Sequence, residues 1–216
     1  MAGEVAVAAE SGGGSAAFLG PPSSSANTKL KLPADTGAAG KVLAVKSANH
    51  SATNAELEWA TVGGVFSSYA LIIDSKSSNT NGGVAATSTW NVRDLNTEVA
   101  DPDSIVSISS NKFTLGAGNY VIKWSCPAHQ INRNQSRLYD VTNSAVIGYG
   151  QAMRSYASDV TTSLSTGVAR VTPSGSTEYR LEHNCETTSN GNNEFGQGNS
   201  LGGTMTYTIV EIYKEA

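Results

Sequence analysis

Gly198-Asn199-Ser200-Leu201-Gly202 has the G-x-S-x-G spacing of a nucleophile elbow, which holds a serine on a sharp turn for attack on an acyl group. That chemistry needs a buried strand before the serine and a helix after it. Here a Gly- and Asn-rich stretch precedes and the strand-like run Met205–Tyr213 follows, so the motif reads as a loop that contains a serine. His50, His129 and His183 are far apart and form no H-x-x-x-H or H-E-x-x-H pair, the spacing that brings two zinc ligands to one helix face. His183 falls in a strand-like run, where a histidine is a satisfied polar neighbour. Asp101 and Asp103 carry oxygens of the kind calcium takes, but Asp101-Pro102-Asp103 also makes an ordinary Asx turn. The expectation is no catalytic residue, no metal site and no cofactor: a protein that is not an enzyme.

Composition narrows the classes further. The chain has 216 residues, with 14 Lys and Arg against 18 Asp and Glu and no basic cluster. Nucleic-acid affinity rests on cations neutralising phosphates, so no nucleic-acid partner is expected. No apolar run approaches the roughly 20 residues that span a bilayer, and no membrane insertion is expected. The leading residues carry Glu4 and only the short apolar run Val5–Ala9, unlike a secretory signal. Synthesis in a cytoplasm is the expectation, and the sequons Asn49-His50-Ser51 and Asn134-Gln135-Ser136 then carry no sugar. Cys126 and Cys185 each share the parity of the apolar residues of their strand. They read as small buried hydrophobes in reduced form, with a bridge between neighbouring strands as the alternative.

The elements that position these residues are strands. Residues 1–29 are rich in Ala, Gly and Ser and bury too little apolar area to offset the entropy of ordering. They form either a loose tail or an anchor ordered only against another protein, with Phe18, Leu19, Pro21 and Pro22 as its contact. Residues 30–65 read as three short β pieces with turn chemistry between them, Leu30–Leu32, Lys41–Val45 and Leu57–Trp59. Such a meander is marginal alone and needs cover from the next domain or from other copies. After the hinge-like Gly63-Gly64, residues 66–216 carry about nine strands: 69–74, 88–94, 105–109, 120–126, 137–141, 145–150, 164–171, 177–184 and 205–213. Short strands at regular spacing with turn signals indicate an all-β sandwich or barrel.

Two loops stand out. Pro127–Ser136 is polar, and Glu186–Gly203 is long and holds one aromatic amid Asn and Gly. Polar amides beside a lone aromatic suit carbohydrate, so Asn192, Asn193, Phe195, Gln197, His129 and Asn132 are the candidate ligand-binding residues, with a solvated tip as the plain reading. The closing strand is apolar in both parities, Met205, Tyr207, Ile209 and Tyr213 against Val210 and Ile212. Either it is a central strand or a partner subunit covers its second face. Tyr207, Ile209, Val210, Ile212 and Tyr213 are accordingly the candidate interface.

At this point the residues carry a family resemblance. Phe113-Thr-Leu-Gly-Ala-Gly-Asn-Tyr120-Val-Ile-Lys-Trp-Ser-Cys126 resembles the strand–turn–strand signature of the complement-globular-head and tumour-necrosis-factor-like jelly roll. So does Arg137-Leu138-Tyr139-Asp140 with its hairpin into Ala145–Gly150. Ser176–His183 is similar to the penultimate strand of the version found in phage fibres, and Met205–Lys214 to the last strand. Leu30–Pro33, Gly40–Leu43 and Leu57–Trp59 are similar to a short module that precedes such heads. The resemblance spans roughly residues 30–214 and lacks a collagen-like stalk or long coiled coil. It implies a C-terminal jelly roll after a short β neck and an extended N-terminal anchor. It further implies a homotrimer with a virion structural role, anchored to a capsid or tail protein and using its head on a host surface, a glycan being the candidate ligand. Capsid decoration that stabilises the shell is the alternative role. A polysaccharide-cleaving spike would need two paired acids, and no pair can be assigned.

Overall fold

The computed structural model describes residues 5–7, 16–18, 29–31, 33–34, 37–50, 54–61, 63–156, 158, 160–189 and 191–216, with backbone alone at 5–7, 16–18, 29–30, 47–50 and 54–55. The chain divides into two compact units, Met1–Val62 and Gly63–Ala216. In the first, β1 (Val5–Val7) pairs antiparallel with β2 (Ala16–Phe18). A separate three-stranded sheet joins β3 (Lys29–Lys31), β4 (Lys41–His50) and β5 (Asn54–Thr61) in the order β3-β5-β4, with β3 parallel to β5. Gly37, at φ +69°, lets the turn before β4 close on the Trp59 ring, which any Cβ there would enter. Val42, Leu43 and Val45 stay exposed on β4. Of the expected anchor residues, Leu19, Pro21 and Pro22 lie outside the described residues and Phe18 is described by its backbone alone.

The second unit contains β6 (Phe66–Lys76), β7 (Asn91–Val92), β8 (Thr97–Ala100), β9 (Val106–Ser109), β10 (Lys112–Leu115), β11 (Tyr120–His129), β12 (Asn132–Asp140), β13 (Ala145–Ser155), β14 (Thr162–Val171), β15 (Thr177–Cys185) and β16 (Met205–Glu215). One sheet runs β14-β11-β16-β6-β8. The other runs β13-β12-β15-β10-β9, with β7 also on β15. Apart from the β12–β13 hairpin, the chain changes sheet at every step from β10 to β16. This antiparallel order is a jelly roll, and the all-β expectation holds.

Alternation builds the core. Ile122, Trp124, Val210 and Ile212 of one sheet face Phe113, Leu138, Tyr179 and Leu181 of the other, all buried. The Trp124 Nε1–H donates to Ser136 Oγ at 2.9 Å, and Ser136 meets Ser165 at 2.8 Å, so a short polar chain ties the sheets across the core. Cys126 lies in this core and Cys185 in a smaller cluster with Ala85, Ala128, Ile131 and Phe195. Both are free, and burial pushes each thiol up to about 11.

Several expected boundaries differ. The polar loop expected at Pro127–Ser136 is mostly strand, because β11 runs to His129 and β12 starts at Asn132. Gln130 and Asn132, both at φ 53°, make the corner between sheets. The strand is hard to read because its inward positions are the polar Asn134 and Ser136. The strand expected at 88–94 is only Asn91–Val92, while β8 and β10 are additional. Asp101 does make the turn: its carboxylate accepts from the N–H groups of Ile105 and Val106, both at 2.9 Å.

Gly167 marks the tightest packing. A Cβ there would fall inside the Trp124 indole. Gly167→Ala is expected to cost about 1–3 kcal/mol by overpacking, read as a lower urea midpoint. Gly175→Ala, whose Cβ would meet open space, serves as the control.

Candidate functional site

The Glu186–Gly203 connection is strapped down. The N–H of Phe195 donates to Gly83 O at 3.2 Å, Gly82 N–H to Gly196 O at 2.9 Å, and His129 N–H to Glu194 O at 2.8 Å. Phe195 is 4% exposed, with its ring stacked on His183 at 5.9 Å. It is therefore a core residue, which corrects its expected role as a stacking platform. Asn193 is buried too, accepting from Ser189 Oγ and donating to Gln197 Oε1, so its amide is spent inside the loop. Asn192 and Gln197 are exposed, although Gln197 also reaches Asn81 Oδ1 at 3.4 Å. His129 is buried, with Nδ1 2.8 Å from Thr162 Oγ1, and Asn132 is half-buried. The six candidates thus do not form one exposed ligand site. Ser200 sits in irregular, exposed chain leading to β16.

Beneath this strap lies a residue that no local pattern marks. Arg93 is 0% exposed. Its Nε donates to Thr208 Oγ1 at 3.0 Å, one terminal nitrogen to Pro127 O at 3.0 Å and the other to Phe195 O at 3.2 Å. These partners are 115, 34 and 102 residues away in sequence. The guanidinium also covers the Phe195 ring at 4.0 Å. Burial lowers its pKa, opposed by the through-space pull of Cys126, Asp74 and Asp94. Asp74 is buried in turn, and its carboxyl is raised by that burial despite Lys76 at 3.2 Å.

A β-bulge lets Thr208 reach Arg93. The register of β16 on β6 shifts between Thr206 and Ile209, so Tyr207 and Thr208 both turn inward. Tyr207 donates to Thr80 O at 2.6 Å. Val210 and Ile212 then fill the core, which removes Tyr207, Val210 and Ile212 from the expected interface. Ile209 and Tyr213 remain outside.

Those two belong to a continuous outer face. Cross-strand rows place Tyr69, Tyr213 and Val121 together, then Leu71, Glu211, Lys123 and Val168, then Ile73, Ile209 and Ser125. Tyr213 packs against Phe66 at 5.1 Å and Tyr69 at 5.2 Å. Val168 is 63% exposed, and Leu164 is also exposed on the same edge strand. A groove of about 560 Å³ crosses β11, β14 and β16 beside Tyr149 and Gln151 of β13. Among the described residues no cluster of three or more His, Cys, Asp and Glu is placed to hold a metal ion.

The second unit is thus a jelly-roll head that offers broad sheet faces. No protein-family model and no curated protein matches the chain. Among solved structures it is similar to murine APRIL at 6% identity and a TM-score of 0.44, over 68% of this chain and 98% of that one. It is similar to the globular domain of zebrafish complement 1qA protein at 13% identity and 0.40, over 68% and 95%. A third is the Eiger TNF of S. frugiperda, at 10% identity and 0.48, over 68% and 92%. At these values the jelly-roll assignment rests on the strand order itself.

Arg93 and His183 make two checks. A lysine at 93 has one ammonium and cannot span three acceptors lying in different directions, so Arg93→Lys is expected to cost about 2–4 kcal/mol in urea unfolding. His183 Nε2 donates to Asn134 Oδ1 at 3.0 Å, and its buried Nδ1 has no partner. Burial, then the Arg93 charge, hold the ring well below the usual 6.5, so it is neutral. Between the unfolded and folded pKa values the unfolded chain binds more protons. Stability should be full above about pH 6.5 and fall below it, with a slope approaching about 1.4 kcal/mol per pH unit. Urea midpoints across pH 7 to 5 should show this fall, and His183→Gln should flatten it.

Proposed function

We propose that this chain is a homotrimeric attachment protein of a virus particle, held to a capsid or tail protein by its leading residues and presenting its jelly-roll head to a host surface. The observation that carries the reading is the outer face of β14-β11-β16-β6-β8, where aromatic and aliphatic side chains lie around the Lys123–Glu211 and Arg170–Glu215 ion pairs. An antiparallel sheet with one free face normally turns polar residues to water, whereas this one turns out Phe66, Tyr69, Leu71, Ile73, Ile209, Tyr213 and Val168. A second copy satisfies such a face best. Its apolar area continues to the edge strand, where a neighbour related by a rotation axis meets it. The number three and the virion role are supported by the resemblance of residues 30–214 to fibre heads and necks. Three weak sites on one particle-bound head would reinforce one another.

Size-exclusion with light scattering at micromolar concentration should give about 67 kDa, three times the 22.3 kDa of the chain. Ile209→Lys should give a monomer with an unchanged circular-dichroism spectrum. A monomeric wild type overturns the assembly. Deleting residues 1–28 should leave the trimer intact and abolish its incorporation into particles, and incorporation of the shortened chain overturns the anchor.

A further inference from the structure

The opposite face of the head has different chemistry. On the outside of the six-stranded sheet, Arg137 of β12 stands across from Glu182 of β15, and Tyr139 across from Arg180. Both arginines bond the same carboxylate, Glu182, which is buried. Each guanidinium lies near the Tyr139 ring, at 5.0 and 5.1 Å from its centre. Arg137 also covers the Trp90 ring at 4.0 Å, and Trp90 meets Tyr149 at 5.9 Å with the rings tilted by 45°. The result is a row of flat groups, Tyr149, Trp90, Arg137, Tyr139 and Arg180, lying across three strands.

Two features of this row select a ligand. Two cations share one anion, which leaves a surplus positive charge, and the Arg180 side chain is 31% exposed. The neighbouring pairs Arg133–Glu186 and Lys112–Glu178 are balanced, and Arg154, over the Tyr156 ring at 4.2 Å, adds another cation. This positive face belongs to a chain of net charge −4, so the charge is segregated here. Donors and acceptors also alternate along it. Guanidinium N–H groups donate, and the exposed carboxylates of Glu178 and Glu186 accept. A nucleic-acid phosphate backbone offers acceptors alone and brings those carboxylates no donor. A sugar ring with vicinal hydroxyls uses both kinds of group, stacks its C–H face on an aromatic ring, and brings one carboxylate to the exposed arginine fork.

We propose that this face binds acidic, carboxylate-bearing sugars, with Trp90 and Tyr139 as the stacking platform and Arg180 as the carboxylate clamp. The proposal deepens the attachment reading above, from which it takes the surface glycan, and moves the contact from the loops to a sheet.

The test uses the full chain, with oligogalacturonate and colominic-acid oligomers as acidic probes and dextran as the neutral one, in titration calorimetry. Saturable binding of at least one acidic probe is expected, with none for dextran. Arg180→Gln, which leaves Arg137 on Glu182, and Trp90→Ala should each weaken binding at least tenfold without lowering the melting temperature by more than a few degrees. If a variant unfolds, chemical-shift changes at Tyr139, Arg180 and their strand neighbours on titrating wild type locate the site instead. No saturable acidic binding, or affinity untouched by Arg180→Gln, overturns the proposal. So does equal binding of duplex DNA, which would reduce the face to unspecific charge. Wild type and Ile209→Lys together separate the two readings: a monomeric wild type that still binds acidic sugar removes the assembly reading alone, and a trimeric wild type that binds none, with monomeric Ile209→Lys heads that bind none either, removes the sugar site alone.

Discussion

A guanidinium with no access to water has to be satisfied where it stands, and Arg93 imposes that constraint on one whole end of the head. Its partners come from the β16 bulge, the end of β11 and the β15–β16 connection. Two of them are main-chain carbonyls. Such acceptors cannot swing away as a carboxylate side chain can, so the bonds fix the backbone at Pro127 and Phe195 as well as the cation. The long connection is consequently a strap across the end of the sandwich. The same buried charge reaches through space to Asp74 and helps keep His183 neutral. The loop end therefore depends on protonation states, whereas the main core between the sheets rests on apolar packing.

The bulge has a second consequence. In a regular strand, Tyr207 and Ile209 would share a face. Inserting one residue turns Tyr207 and Thr208 inward together, and only beyond them does alternation resume with Ile209, Glu211 and Tyr213 outside. The hydroxyl that Arg93 needs and the aromatic face on the far side of the strand are thus set by one local irregularity. The two outer faces then diverge. One sets aromatic and aliphatic side chains around the Lys123–Glu211 and Arg170–Glu215 pairs. The other alternates arginine, glutamate and rings, and its charges are held in a cross-strand ladder whose members constrain one another's geometry.

Much of this was legible in the residues, and the limits are instructive. Strands β6, β11, β13, β14, β15 and β16 follow from period-two alternation and turn chemistry, because those signals are local and short. The three β pieces of the first unit were readable for the same reason, but the parallel pairing of β3 on β5 makes them something other than the expected meander. Strand β12 was partly hidden because its inner positions carry Asn134 and Ser136, whose partners Ser163 and Ser165 lie on a different strand. Phe195 looked like an exposed aromatic because Asn and Gly surround it in sequence. In space it is surrounded by Ala85, Ala128, Ile131 and Cys185.

The sequence by itself determined an all-β chain, most strands of the larger unit, and the inward parity of Cys126 and Cys185 in theirs. Each of those depends on neighbours a few residues apart. Only the tertiary structure decided which residues of β16 face inward, that the Asn-rich connection closes the head, and that Arg93 is its buried centre. The physical reason is distance along the chain. A bulge, a buried cation and an aromatic stacked beneath it are each defined by partners up to 115 residues away, and no local pattern encodes their meeting.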